Sequence, residues 1–110
     1  MSMSKHSNCP CNKNCPINVA MNMIGGKWKL QILCAIFIDG TLRYGELKRK
    51  VAGITNTMLA SSLKELEHDG LIIRTQYSEM PLRVEYSTTE FANDLQPIVK
   101  QLFQWIQKNH

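Results

Sequence analysis

The segment that most constrains the fold of this chain is residues 53–70, GITNTMLASSLKELEHDG. Leu59, Leu63 and Leu66 follow one another at intervals of four and three residues, which places them on one face of an α-helix. Thr55 precedes the run as a candidate N-cap, and Gly70 follows it where helices often end in a left-handed residue. The segment therefore predicts a helix with one apolar face and a cap at each end.

The opposite face of this predicted helix carries short polar side chains in its N-terminal half. Thr57, Ser61 and Lys64 lie there, with Asn56 and Ala60 beside them, whereas acidic side chains occur only towards the C-terminal end. Short hydrogen-bonding side chains suit insertion into the major groove of DNA. We expect Asn56, Thr57 and Ser61 to contact base edges or adjacent phosphates, and Lys64 to contact a phosphate. The alternative is an ordinary amphipathic helix.

Basic residues are concentrated just before this helix. Residues 41–53 contain four basic side chains and one acidic side chain, Glu46. They hold most of the formal net charge of +4, which permits binding to a polyanion without requiring it. Arg43, Lys48 and Lys50 are therefore candidate DNA contacts that flank the predicted helix. The alternative for the two lysines is that they only keep the surface solvated.

The composition indicates one globular domain. The chain has 110 residues, of which 44% are hydrophobic and 20% are charged. No apolar run is long enough to span a membrane, and residues 1–15 lack the apolar core of a signal peptide. We therefore expect a cytoplasmic protein with no membrane partner, in which the four cysteines are kept reduced.

The segments before residue 53 are polar at first and then helical. Residues 1–14 are predicted to form a flexible, cysteine-containing arm, and residues 15–110 the domain. A first helix should start at Pro16 and end before Gly25-Gly26. Residues 28–38 are apolar nearly all round, which predicts the most enclosed helix of the domain. Residues 43–51 predict a third helix.

A hairpin and one more helix follow residue 70. Residues 71–78 and 83–87 are rich in strand-forming side chains, and Pro81 marks the turn between them. A lone hairpin is marginal, so it should pack on the helices, with Thr41-Leu42 as a candidate third strand. Arg83 lies near the hairpin tip, where a minor-groove or phosphate contact is expected. Residues 90–108 have helical periodicity, and Pro97 should kink or restart that helix.

This order of elements is typical of a winged helix-turn-helix, an α+β fold that is mainly α, with an additional helix at each end. The apolar face of the last helix is wide for a chain this small, and it consists of Ile98, Leu102, Phe103 and Ile106 with Trp105 beside them. Such a face favours a homodimer interface, while closure over the chain's own core is the alternative. Aromatic residues on apolar faces predict packing rather than stacking on bases, and these are Trp28, Phe37, Tyr77, Tyr86 and Phe103.

No catalytic constellation is present in the sequence. None of the three histidines lies beside a nucleophile with an orienting acid, and there is no glycine-rich phosphate loop, so neither an enzyme nor a cofactor is predicted. His6, Cys9, Cys11 and Cys15 could supply four ligands to Zn²⁺. However, C-x-C-x3-C is not a standard zinc-finger spacing, and we assign no metal site.

The cysteines differ in their predicted chemistry. Cys15 would lie at the start of the first helix, where the helix dipole favours the thiolate. Cys34 lies in the most apolar helix, where burial disfavours the thiolate and a small core side chain is expected. Thiols without a function are the alternative for Cys15 and for the arm.

Five short segments, in order and at the right spacing, resemble the HxlR-type transcriptional regulators, a branch of the MarR-like winged-helix proteins. They are CPI at 15–17, IGGKW at 24–28, RYGEL at 43–47, LKELEHDGL at 63–71 and PLRVEYS at 81–87. The resemblance covers nearly everything after the arm. The chain departs from the family pattern at Tyr44, where phenylalanine is typical, and in the extra cysteines of its arm.

The resemblance implies three further properties. Such proteins are obligate homodimers that pair through the first and last helices, which adds Ile17 to the expected dimer interface. They bind double-stranded DNA operators with inverted-repeat symmetry. In several members the cysteine that matches Cys15 senses electrophiles or oxidants. The hypothesis is therefore a homodimeric, sequence-specific regulator, and its rivals are a zinc or thiol-chemistry protein and a protein–protein adaptor on a winged-helix scaffold.

Overall fold

The computed structural model describes residues 15–78 and 80–109, so the predicted arm, with His6, Cys9 and Cys11, lies outside the described residues. In chain order the elements are α1 (Pro16–Ile24), α2 (Lys29–Asp39), β1 (Thr41–Arg43), α3 (Tyr44–Lys50), α4 (Asn56–His68), β2 (Ile72–Tyr77), β3 (Arg83–Thr88), α5 (Glu90–Asn93) and α6 (Gln96–Asn109). The predicted fold class is confirmed: helices predominate, and the two-stranded hairpin of a small three-stranded sheet follows the helix-turn-helix.

The sheet is antiparallel and its strand order is β1-β3-β2. The hairpin strands pair along their whole length, so that Tyr77 and Arg83 are partners at the distal end. β1 adds to the other edge of β3, with Leu42 opposite Tyr86. The third strand predicted at Thr41-Leu42 is therefore confirmed, and it joins the hairpin to the helices because Leu42 and Tyr86 are both buried.

The core lies between α2, α4 and the inner face of the sheet. The described core cluster consists of Ile32, Leu33, Ile36, Leu42, Leu47, Val51, Ile54, Leu59, Leu63, Leu66, Leu71, Ile72, Tyr86 and Ala92. Burying a side chain of leucine size stabilises the fold by roughly 1.5–3 kcal/mol. All three leucines of the predicted stripe belong to this cluster, so the predicted face of α4 is the buried one.

The end of α2 departs from the sequence prediction. The helix was expected to be the most enclosed one of the domain because its sequence is apolar nearly all round, and Ile32, Leu33 and Ile36 are indeed fully buried. That expectation is wrong at Ile38, whose exposed fraction is 82%. An apolar pattern shows which side chains avoid water, but it does not show whether this chain alone can cover them.

The helix ends follow local chemistry. Thr55 caps α4, because its Oγ1 accepts a hydrogen bond of 3.1 Å from the backbone N–H of Met58. Gly70, after the end of α4, has a φ of +79°, which lets the N–H of Leu71 donate to the carbonyl of Leu66 at 2.9 Å. Pro97 restarts the last helix rather than kinking it, since it is the second residue of α6, where no N–H donor is needed.

Thr89 ties the end of the hairpin to the end of α4. Its Oγ1 donates to the carbonyl of Gly70 at 2.7 Å, and its backbone N–H donates to the carbonyl of Leu71 at 3.2 Å. The same Oγ1 accepts from the N–H of Ala92 at 3.2 Å and so caps α5. One residue therefore connects the fourth helix, the sheet and the start of the C-terminal segment.

The two terminal helices have apolar faces that this chain leaves uncovered. No side chain of α1 or α6 is buried among the described residues. The exposed apolar residues on these two helices are Ile17, Val19, Met21, Ile98, Leu102, Phe103, Trp105 and Ile106. Phe103 was also expected to pack in a core, but it is 60% exposed, and α6 does not close over the chain's own core. None of the helices within residues 15–78 and 80–109 combines the length and apolarity that crossing a bilayer requires.

Candidate nucleic-acid interface

α3, a short turn and α4 form the helix-turn-helix, and two side chains of the turn are buried in the core. Val51 and Ile54 are both buried, and the N–H of Ile54 donates to the carbonyl of Val51 at 3.3 Å. Gly53, between them, has a φ of +84°, a backbone conformation that residues other than glycine rarely adopt. The turn therefore fixes the angle at which α4 leaves the core.

The face of α4 opposite its leucines is open to solvent, as the sequence predicted. Thr57, Ser61 and Lys64 lie along this face and are exposed, and Asn56 is exposed beside it at the first position of the helix. Ser62 is the exception among the small polar residues of α4, because it is buried beside the leucine stripe. The structure thus brings these four candidate residues together on one surface.

Tyr44 contacts the start of α4, which sequence reasoning missed. Its Oη lies 3.1 Å from the backbone carbonyl oxygen of Asn56 and 3.3 Å from Asn56 Oδ1. From the sequence, Tyr44 stood out only as a departure from the family pattern, and its ring packs against the core. The signal that could have found the contact was the hydroxyl itself, at a position where phenylalanine would suffice for packing.

An ion pair joins the middle of α4 to the start of α2. Lys29 Nζ lies 2.6 Å from Glu65 Oε1 and 3.2 Å from the carbonyl of Asn22, and only 12% of the Lys29 side chain is exposed. The hydrogen bond and the positive charge of Lys29 hold the pKa of Glu65 below its ordinary value. Ser61 Oγ lies 3.5 Å from Glu65 Oε2, so its hydroxyl also turns towards this pair.

The basic residues before α4 are not equivalent. Arg43 is exposed where β1 meets α3, and its backbone N–H donates to Glu46 Oε1 at 2.8 Å. Lys48 is half-buried on α3. Lys50 Nζ lies 2.8 Å from Asp39 Oδ2, so a phosphate would have to compete with this ion pair. Of the three candidates, Arg43 is therefore the most open to a polyanion.

Arg83 lies at the first position of β3, near the hairpin tip as predicted, but it packs on its neighbours. Its guanidinium carbon is 4.2 Å from the centre of the Tyr77 ring, and its Nε is 3.3 Å from Glu85 Oε2. A contact with DNA would have to draw the guanidinium partly away from this stack. Tyr77 therefore packs at the tip rather than in the core.

The two described cysteines lie in different surroundings. Cys15 immediately precedes α1, as predicted, and only 5% of it is exposed. Cys34 is not a core residue: it is half-buried and lines a groove of about 660 Å³ between α2 and α6. Burial raises the pKa of the Cys34 thiol, which agrees with the prediction that its thiolate is disfavoured.

A helix-turn-helix with an open polar face on its second helix, and a β-hairpin wing beside it, defines the class of winged-helix DNA-binding transcriptional regulators. The sequence profile of the HxlR-like helix-turn-helix family matches residues 23–110, and the chain belongs to this family. The chain is 44% identical over 94 residues to the uncharacterised HTH-type transcriptional regulator YdzF of Bacillus subtilis (strain 168), and the match covers 86% of each chain.

Solved structures of regulators have the same fold. The redox regulator HypR in its oxidised form is similar with a TM-score of 0.80 and 43% identity, over 87% of this chain and 98% of HypR. The reduced form of the transcriptional regulator YodB from B. subtilis is similar with a TM-score of 0.74 and 32% identity, over 83% of this chain and 89% of YodB. The predicted family resemblance is confirmed: the protein is a transcriptional regulator with a helix-turn-helix, and not an enzyme.

Proposed function

We propose that this regulator acts as a homodimer on an inverted-repeat operator, with α4 of each subunit in a major groove and the wing beside it. One observation carries the proposal. The polar face of α4 is open on one side of the fold, while the apolar faces of α1 and α6 are open and have no cover within the described chain. The first surface suits DNA and the second suits another copy of the chain.

The dimer rests on the amount and continuity of uncovered apolar surface. Ile98, Leu102, Phe103 and Ile106 recur along α6, and Ile17 lies on α1. A helix of this kind loses hydrophobic stabilisation if it stays in water, because burial is worth roughly 25 cal/mol per Å². The groove that Phe103 shares with Ile38 continues the same surface. A second copy, which brings an identical face, is the occupant that a two-fold axis supplies.

A two-fold axis then determines the symmetry of the DNA site. Two copies of α4 entering successive major grooves must be about 34 Å apart. The operator is accordingly an inverted repeat with matching half-site spacing. Within each half-site Asn56, Thr57 and Ser61 face base edges or adjacent phosphates, and Lys64 and Arg43 contact phosphates. Smaller contributions come from Lys48, Lys50 and Arg83. Of these, Lys50 must leave Asp39 and Arg83 must leave Glu85 before either can contact DNA.

Thiol control is the second part of the proposal, and its residue is Cys15. The thiol lies at the start of α1, one of the two proposed dimerisation helices, and it is nearly enclosed. A group added to its sulfur cannot stay in that space, so α1 must shift. The shift would alter the subunit arrangement and favour a dimer that no longer fits both half-sites. The similarity to HypR, named as a redox regulator, supports this assignment.

The symmetry claims are tested by sedimentation of the full chain and by selection from randomised duplex DNA. We expect a dimer at micromolar concentration and an inverted repeat among the selected sequences. A monomer that binds a single half-site would refute the dimer. Selection of no sequence at all would refute sequence-specific binding.

The thiol claim is tested with a quinone, to which a thiol adds by forming a bond between sulfur and a ring carbon. The thiol proton goes to one carbonyl oxygen and the proton of the attacked ring carbon to the other, so the product is a hydroquinone thioether. We expect the quinone to weaken operator binding by the wild type and to leave binding by Cys15→Ser unchanged. Cys34→Ser is the matched control, because it removes the other described thiol, and this variant should respond as the wild type does. A Cys15→Ser variant that still responds would move the sensor elsewhere in the chain.

A further inference from the structure

The contact between Tyr44 and Asn56 joins the first helix of the helix-turn-helix to the first residue of α4. The Tyr44 hydroxyl lies within hydrogen-bonding distance of two atoms of one residue, at 3.1 Å from the backbone oxygen and 3.3 Å from the side-chain oxygen. The ring below it packs on the core, so the hydroxyl is held in place. Asn56 is exposed at the first position of α4, beside the open polar face of that helix.

The proton count selects one orientation of the Asn56 carboxamide. A tyrosine hydroxyl donates one hydrogen and accepts others, so it cannot fully satisfy two oxygen acceptors at once. The two ends of a carboxamide have the same shape, and their assignment follows from the hydrogen bonds they make. With the amide turned by 180°, Nδ2 donates to Tyr44 Oη, and Oη donates to the carbonyl of Asn56. Both contacts then hold one full hydrogen bond each.

This orientation leaves the outer edge of the carboxamide available. Tyr44 then uses one N–H of Nδ2, which leaves Oδ1 and the second N–H for another partner. That acceptor–donor pair matches N6 and N7 of adenine, which an asparagine side chain reads in the major groove through two hydrogen bonds. A carboxamide held in advance loses less rotational freedom when it meets the base.

We propose that Tyr44 is a positioning residue for base readout, which orients Asn56 so that it recognises an adenine in each half-site. The proposal rests on the proposed function, since it requires α4 to enter the major groove. To the proposed function it adds the base that is recognised, the Asn56 atoms that recognise it, and Tyr44, which acts without touching DNA. The competing role for Tyr44 is purely structural, in which its hydroxyl only holds α3 against α4.

The test is selection from randomised duplex DNA with the wild type, Tyr44→Phe, Asn56→Ala and the double variant. We expect the wild type to prefer adenine at one position of each half-site by roughly 5- to 150-fold, as for a two-hydrogen-bond contact. Asn56→Ala should lose that preference alone. Tyr44→Phe should weaken it about 2- to 10-fold, the effect of one hydrogen bond. Tyr86→Phe, which changes a tyrosine of β3, is the control and should keep it.

Two measurements distinguish a positioning role of Tyr44 from a purely structural one. The double variant should have the same preferences as Asn56→Ala, because Tyr44 acts only through Asn56. Placing 7-deazaadenine at the preferred position should weaken the wild type and leave Asn56→Ala unaffected. Unchanged preferences in Tyr44→Phe would overturn the proposal. Further loss in the double variant would do the same. If Asn56→Ala keeps every preference, this inference fails while the proposed function stands; if the wild type selects no sequence, both fail.

Discussion

α4 and α6 carry the same kind of sequence pattern, but the apolar face of α4 is buried and that of α6 is exposed. Each has apolar residues at helical spacing over three or four turns. In α4 the leucine stripe is covered by α2 and the sheet, and Leu59 and Leu66 are fully buried. In α6 no residue is buried, and Leu102 remains 48% exposed. Periodicity therefore identifies an apolar face, but only the rest of the molecule, or a second one, determines what covers it.

The largest expected effect is on the uncovered face. Leu102→Glu would place a charge in the proposed interface, where an unpaired buried charge costs roughly 3–5 kcal/mol. We expect folded monomers with little operator affinity, measured by sedimentation and by DNA binding. Gln104→Glu adds the same charge to α6 outside the apolar set and should leave the dimer intact. A Leu102→Glu variant that remains dimeric would show that α6 is not the interface.

The next effect distinguishes the two helices by stability. Leu59→Ala removes fully buried methyl groups and should lower the free energy of unfolding by about 2–5 kcal/mol, independently of protein concentration. Leu102→Ala makes the same chemical change on α6. The decrease in the free energy of unfolding caused by Leu102→Ala should depend on protein concentration, because dimer formation would contribute to the stability of α6. Denaturant unfolding at two concentrations measures both. Equal, concentration-independent losses would contradict the distinction.

A third prediction concerns the outer face of α4. Thr57→Ala should change the preference at particular base pairs by about 1–3 kcal/mol if a direct contact to a base edge is lost. The matched change on the exposed side of α6 is Gln107→Ala, for which no change in preference is expected. Selection from randomised DNA reads both. Uniform weakening on operator and random DNA would mean that Thr57 contacts phosphate rather than bases.

The smallest effect concerns the ion pair that attaches α4 to α2. The pKa of Glu65 is lower in the folded protein, so the pair with Lys29 stabilises the fold above the ordinary glutamate value of 4.5. That contribution disappears as the pH falls through the lowered folded value, when Glu65 is protonated. Lys29→Met should therefore be slightly less stable than the wild type at pH 7, and the gap should close in acid. Unfolding curves across pH 3–7 test this, and a gap that does not depend on pH would assign the loss to packing alone.

Much of the fold was predictable because its signals are local. Thr55, Gly70 and Pro97 mark helix ends through backbone chemistry that depends on a few neighbouring residues. The candidate DNA surface could also be found, because the open face of α4 is the complement of its leucine stripe. The positions of its side chains could not be predicted: Arg83 stacks on Tyr77 across the hairpin, and that contact depends on pairing register and rotamers that no local pattern encodes.

The hydrogen bonds of Thr89 have a mechanical consequence. The residue that ends the hairpin and begins α5 is attached directly to Gly70 and Leu71, the last residues before the sheet. A displacement of the C-terminal segment would therefore be transmitted to the end of α4 through these two hydrogen bonds. In the proposed dimer, a rotation of α6 against the partner subunit would therefore change the orientation of α4. New signals could accordingly evolve on the terminal helices without any change in the exposed polar residues of α4.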